Sequence, residues 1–143
     1  MKLISILVLC IFISCQCFSQ SLEGEWEGTY DIDFGLPDMF ATPTKLVFVL
    51  DKDSSYKVYS YSKGKDINNR DTIIVCKVLY NRVSEDSLYL EETEVLKPAY
   101  AKQDCLQKMK LRVKRRNRSI QLTGTWQSAE CNTHGQIRLT KKG

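Results

Sequence analysis

The sequence predicts an all-β protein: an eight-stranded antiparallel up-and-down barrel preceded by an N-terminal signal peptide. Three observations predict it. Residues 22–34 alternate for thirteen positions, with Leu22, Gly24, Trp26, Gly28, Tyr30, Ile32 and Phe34 on one parity and Glu23, Glu25, Glu27, Thr29, Asp31 and Asp33 on the other. Side chains of an extended chain point to opposite faces with period two, so this stretch is a strand with one dry and one wet face. Seven further β-forming stretches follow, separated by turn signals. No stretch after residue 20 reads as an amphipathic helix.

The first twenty residues stand apart. Lys2 is their only charge, and residues 3–13 are almost wholly apolar. That run is too short to span a bilayer and suits the apolar region of an export signal. Cleavage is expected near Ser19 or Gln20, which leaves residues 21–143 as a single domain. A rival reading is lipidation: Phe12-Ile13-Ser14-Cys15 resembles a bacterial lipobox, with Cys15 as the modified residue, and would leave the same domain tethered to a membrane. The expected location is therefore secreted or periplasmic, with a lipid-anchored envelope protein as the alternative.

The remaining strands follow in order. Residues 35–43 form a loop with Leu36, Pro37, Met39 and Phe40, unusually apolar for a connection. It either covers the open end of the barrel or offers a contact surface. Leu46–Leu50 is a continuous apolar run that ends in the turn residues Asp51-Lys52-Asp53-Ser54-Ser55. Tyr56–Tyr61 is rich in tyrosine and valine, and residues 71–84 carry Ile73-Ile74-Val75-Cys76-Lys77-Val78-Leu79-Tyr80. Leu88–Val95 is the fifth strand, followed by a loop holding Pro98, Ala99 and Tyr100. Cys105–Arg116 and Ser119–Ala129 are the sixth and seventh. Asn132-Thr133-His134-Gly135 reads as a turn, and Gln136–Thr140 as the eighth strand. Closing such a meander pairs the first strand with the last and removes both edges.

A two-residue loop at Asn117-Arg118 fixes the register of the sixth and seventh strands. It sets Val113 opposite Leu122, Leu111 opposite Gly124 and Met109 opposite Trp126. It also sets Cys105 opposite Glu130, one residue from Cys131, which predicts a Cys105–Cys131 disulfide worth roughly 3 kcal/mol. Export leaves Cys76 as the third and last cysteine of the domain. Mid-strand among apolar residues, it reads as a small buried hydrophobe.

Leu22-Glu23-Gly24-Glu25-Trp26 and Leu122-Thr123-Gly124-Thr125-Trp126 share the pattern Leu-x-Gly-x-Trp. Glycine admits a close neighbour, and the indole two residues on lies on the same face. On the first strand of an eight-stranded barrel this resembles the opening of lipocalin-like and avidin-like proteins, the calycin group, here as a small secreted bacterial β-barrel. The resemblance covers Leu22 to Tyr30, the length and the strand count. It implies that Trp26 plugs the closed end, and Trp126 is read likewise as core. Lipocalins also set an arginine against the tryptophan. Arg138 is the nearest candidate here, but its parity points it outward. Avidin's ligand-binding side chains have no counterpart motif, so biotin is not expected.

Lys108, Lys110, Arg112, Lys114, Arg115, Arg116 and Arg118 form a basic hairpin. Two readings stand: an anion-binding face, or a solvated strand face partly neutralised by Glu91, Glu92 and Glu94 on the fifth strand. Glu23, Glu25 and Glu27 form an acidic counterpart. The net charge of +4, or +3 once Lys2 leaves with the leader, does not call for nucleic acid.

The sole histidine, His134, has no evident nucleophile to serve, and no cysteine or histidine spacing matches a metal site. No enzyme activity, cofactor or metal is expected. The predicted function is binding of a small apolar or amphipathic ligand at the open end, through Leu36, Met39 and Phe40, with Tyr100 joining if both loops share an end. The alternative is a protein-binding module, such as a secreted protease inhibitor, or a lipid-anchored envelope protein of structural role. The partners expected are thus a small hydrophobic ligand or a protein, with a membrane only through Cys15, and the chain is expected to be a monomer.

Overall fold

A computed structural model describes residues 21–33, 41–66, 68–98, 105–116 and 119–143. Eight strands follow in order: β1 (Gly24–Tyr30), β2 (Thr42–Leu50), β3 (Tyr56–Lys65), β4 (Asp71–Arg82), β5 (Ser87–Lys97), β6 (Lys108–Arg116), β7 (Ser119–Ser128) and β8 (Thr133–Lys141). Each pairs antiparallel with its successor, and β1 pairs with β8 to close the barrel. The fold class is the one the alternation predicts. The resemblance to calycins is met at the level of architecture, an eight-stranded antiparallel barrel.

Alternation decides what lies inside. Leu22 just before β1 and Trp26 on it, Leu46 and Phe48 from β2, Leu88 and Leu90 from β5, Met109 and Leu111 from β6, and Leu122 and Leu139 from β7 and β8 are buried in one cluster. At one end, Trp26, Phe48, Tyr56 and Tyr80 pack edge to face, with ring centroids 5.6–6.4 Å apart. Such contacts fill the interior and hold it rigid. This is the aromatic end. The opposite end carries the Cys105–Cys131 disulfide, which joins the start of the β6 segment to the β7–β8 turn across a Cα–Cα distance of 5.5 Å. Cys76, outside that bridge, is buried on β4.

Register explains two glycines. The predicted β6–β7 pairing is found residue for residue: Val113 faces Leu122, Leu111 faces Gly124 and Met109 faces Trp126. A Cβ on Gly124 would lie 1.9 Å from the Lys110 carbonyl oxygen, and one on Gly135 would lie 1.8 Å from that of Asp31. Only glycine lets the strands coil this tightly. Gly135 therefore belongs inside β8, and the predicted turn at residues 132–135 moves back to residues 129–132. Asn132 there takes the left-handed conformation, at φ 49°. Thr42 and Pro43, expected in the first loop, already belong to β2 and pair with Tyr30 and Thr29. Conversely, β6 begins at Lys108 rather than Cys105.

Candidate functional site

The interior changes character toward the disulfide end. Inward positions there carry Tyr30 on β1, Thr42 and Thr44 on β2, Ser60 on β3, Glu92 on β5 and Gln107 just before β6. Glu92 is only 8 % exposed and Ser60 only 5 %. Leu88, Leu90 and Glu92 share one parity, so the carboxylate is carried inward by the same pleat that buries the two leucines. Directly after it the β4–β5 register shifts, with Glu92 facing Val78 but Glu94 facing Lys77, so Thr93 bulges. Bulges bend a strand and re-aim its side chains. Beyond this one Glu94 turns to solvent and Val95 faces Cys76.

These groups form a polar row across the barrel. The Ser60 hydroxyl donates to Glu92 Oε1. The Gln107 backbone N–H donates to Glu92 Oε2 at 2.9 Å. The side chains of Thr42 and Gln107 neighbour the Tyr30 hydroxyl and, as hydrogen-bonding groups, hold its pKa down against burial. The row thus links β1 and β2 to β5 and β3 through Gln107. Burial pushes the Glu92 carboxyl above the usual carboxylate range, and the hydrogen bonds from Ser60 and Gln107 offset part of that. Burial likewise raises the Tyr30 hydroxyl, and the charge of Glu92 adds to the effect. Among the described residues no cation pairs with Glu92. A buried carboxylate held only by neutral donors is an acceptor with capacity to spare.

The two indoles do not share an end. Trp26 is fully buried near the aromatic end and donates its Nε1–H to the Leu22 carbonyl at 2.9 Å. The cation over its ring is Lys141, with Nζ 5.8 Å from the centroid, while Arg138 is exposed on the outer face as its parity requires. Trp126 lies toward the disulfide end, donates to the Asp31 carbonyl at 2.9 Å and packs edge to face on Tyr30 at 5.1 Å.

Leu36, Met39, Phe40 and Tyr100, the expected ligand contacts, lie outside the described residues, as do residues 1–20 with Cys15. The strand ends that flank the two loops are described. Meander topology sets the β1–β2, β3–β4, β5–β6 and β7–β8 connections at one end, the end with the disulfide and the polar row. Sequence reasoning missed Ser60, Gln107 and the inward aim of Glu92, which it counted with the outer acids. Of those acids, Glu91 does meet the basic hairpin, 3.0 Å from Lys108. His134 stands exposed, 3.9 Å from Asp33. Among the described residues no group of three or more His, Cys, Asp or Glu could hold a metal ion.

A second concavity lies outside the barrel. A groove of about 800 Å³ runs over the outer faces of β6, β7, β8 and the end of β1, lined by Lys110, Arg112, Lys114, Arg116 and Arg138 with threonines and glutamines between them. Comparison with family models, with curated proteins and with solved structures gives no match to this chain.

Proposed function

We propose that the protein is an exported binding protein that takes a small amphipathic ligand into the disulfide end of its barrel and catalyses no reaction on it. The observation that carries this reading is the polar row from Tyr30 to Ser60, set across an interior that is otherwise apolar. The aromatic end is packed shut, which leaves the half above the row as the place for a guest. A ligand there would lay apolar atoms against Ile32, Ile74 and Trp126 and hand a donor to Glu92. Head groups that donate, a hydroxyl or an ammonium, suit that carboxylate; a second carboxylate would be repelled. The Cys105–Cys131 disulfide agrees with an oxidising location, secreted or periplasmic. The absence of catalysis rests on the placement of the reactive groups: His134 is on the outer face and Cys76 is buried.

Titration with long-chain amines, alcohols and acids of equal length tests the proposal, read by Trp126 fluorescence in a Trp26→Phe background. Saturable quenching is expected in the order amine, alcohol, acid. Equal response to all three, or none, would sink the reading of Glu92 as the head-group partner. A second reading, a protein-binding module, is favoured by the outward face of β4, where Leu79 is 57 % and Ile73 40 % exposed. Native mass spectrometry of protein from its own source separates the two: a retained small molecule supports the first, and a retained polypeptide the second.

A further inference from the structure

The outer groove over β6, β7 and β8 is built from three cross-strand rows. Arg112, Thr123, Arg138 and Thr29 face one another across four strands. Lys110, Thr125 and Gln136 form the row on the disulfide side, and Lys114, Gln121 and Thr140 the row on the other. Short threonines on β7 make the floor. Long lysines and arginines on β6, with Arg138 on β8, make the walls. The concavity follows from side-chain length.

Charge compensation across this barrel is lopsided. The acids on the outer face of β1 are neutralised: Glu25 meets Lys45 at 3.5 Å, and Glu27 meets Lys142 at 3.3 Å. On β6, Lys108 is held by Glu91. The next four cations along that face, Lys110, Arg112, Lys114 and Arg116, have no ion-pair partner among the described residues, and neither has Arg138 across the groove. The one acid lining the groove is Asp31, whose Oδ1 already accepts the Gln136 backbone N–H at 2.9 Å. Like charges on one strand face repel, so the fold alone gives no reason for this row. Alternate residues stand about 7 Å apart, so four cations on β6 mark out a line of about 20 Å.

We propose that this groove binds an acidic polysaccharide, a sugar chain bearing carboxylate or sulfate groups. The linear row of cations calls for an extended chain of repeating anions. The threonine and glutamine floor supplies hydroxyl and amide partners for sugar hydroxyls. No aromatic side chain lines the groove, so nothing there stacks nucleobases as single-stranded nucleic acid sites do. The walls stand two strand spacings apart, about 10 Å, which admits one chain and not a duplex. The apolar side chains along the groove are Ala41, which is small, and Ile137, which is buried, so nothing bulky is offered for insertion into a membrane.

The test uses the full chain in titrations with heparin, polygalacturonate, neutral dextran and a thymidine oligonucleotide. Binding to one or both acidic polysaccharides and none to dextran is expected. Arg112→Gln with Arg138→Gln should weaken it at least tenfold at fixed salt, and Lys77→Gln, which removes a charge from the far side of the barrel, should leave it unchanged. Thr123→Val with Thr125→Val keeps the charge and the strand propensity, and should weaken binding several-fold. Equal weakening by the Lys77 variant would reduce the effect to net charge and overturn the site. Unchanged affinity in the threonine variant, or oligonucleotide binding as tight as the polysaccharide's, would overturn the sugar assignment. Far-UV circular dichroism identifies any variant that has lost the fold, and Arg112→Lys with Arg138→Lys, which keeps both charges, should retain most of the affinity that the double glutamine variant loses.

Discussion

Glu92 shows how much one residue's setting can change its meaning. On paper it is the middle of an acidic run, Glu91-Glu92-Thr93-Glu94. In the barrel its neighbours on either side face solvent while it faces inward. Its parity with Leu88 and Leu90 was legible; that a carboxylate would be tolerated there was not, because the tolerance comes from Ser60, thirty-two residues away, and from the Gln107 backbone. Burial holds its pKa above the ordinary carboxylate value. The folded state therefore keeps this proton to higher pH than the unfolded state does. The stability tied to that proton is full below the ordinary glutamate value and is lost as pH rises through the raised one. Glu92→Gln keeps an acceptor for the Gln107 N–H, can donate its amide to the Ser60 hydroxyl oxygen in place of accepting from it, and removes the titration. It should be more stable than wild type at neutral pH, and the gap should close as pH falls toward the ordinary glutamate value. Urea midpoints of the two proteins across that range would show it, and a gap independent of pH would contradict it.

At the level of elements, the β6–β7 hairpin was the most predictable part of the chain. Its register followed from a two-residue connection and from apolar residues falling opposite apolar residues or glycine. The disulfide followed from the register. Cys105→Ala with Cys131→Ala opens a covalent loop of 26-residue separation and should cost about 3–4 kcal/mol in the chain-entropy description. A urea midpoint for that variant equal to wild type would show that the bridge constrains nothing. β5 was less legible. Its register against β4 shifts twice, at Thr93 and again at Leu96, and a bulge is chosen by the curvature that closure demands rather than by local composition. The turn before β8 was misplaced for a related reason. Gly135 resembles a turn glycine in sequence, yet it is required by an approach between β8 and the segment after β1, which are a hundred residues apart.

For the whole molecule, closure makes one cooperative unit. β1 touches both β2 and β8, and backbone bonds extend the seam beyond the strands at Asp31, Asp33 and Lys142. The two indoles stand near opposite ends of this unit and hydrogen-bond to carbonyls on either side of β1, those of Leu22 and Asp31. In Trp26→Phe and in Trp126→Phe, the remaining indole's fluorescence should therefore trace the same urea transition as far-UV circular dichroism. Separate midpoints would mean that the ends unravel independently. Strand number, order and direction were readable from period-two alternation because that pattern reports burial directly. The cation row of the outer groove was readable for the same reason, whereas the polar row was not, since it joins β1, β2, β3 and β5 across the interior rather than along the sheet. The position of Cys76 adds a practical consequence. Its side chain turns inward with Val78 and is buried, with Ser60 its partner on one neighbouring strand and Val95 on the other. A thiol reagent can reach it only through the barrel interior, by the mouth a guest would use or when the staves part, so slowing of its labelling by a ligand reports that the interior is filled, and the pace that remains at saturation is a clock for how often the closed cylinder breathes.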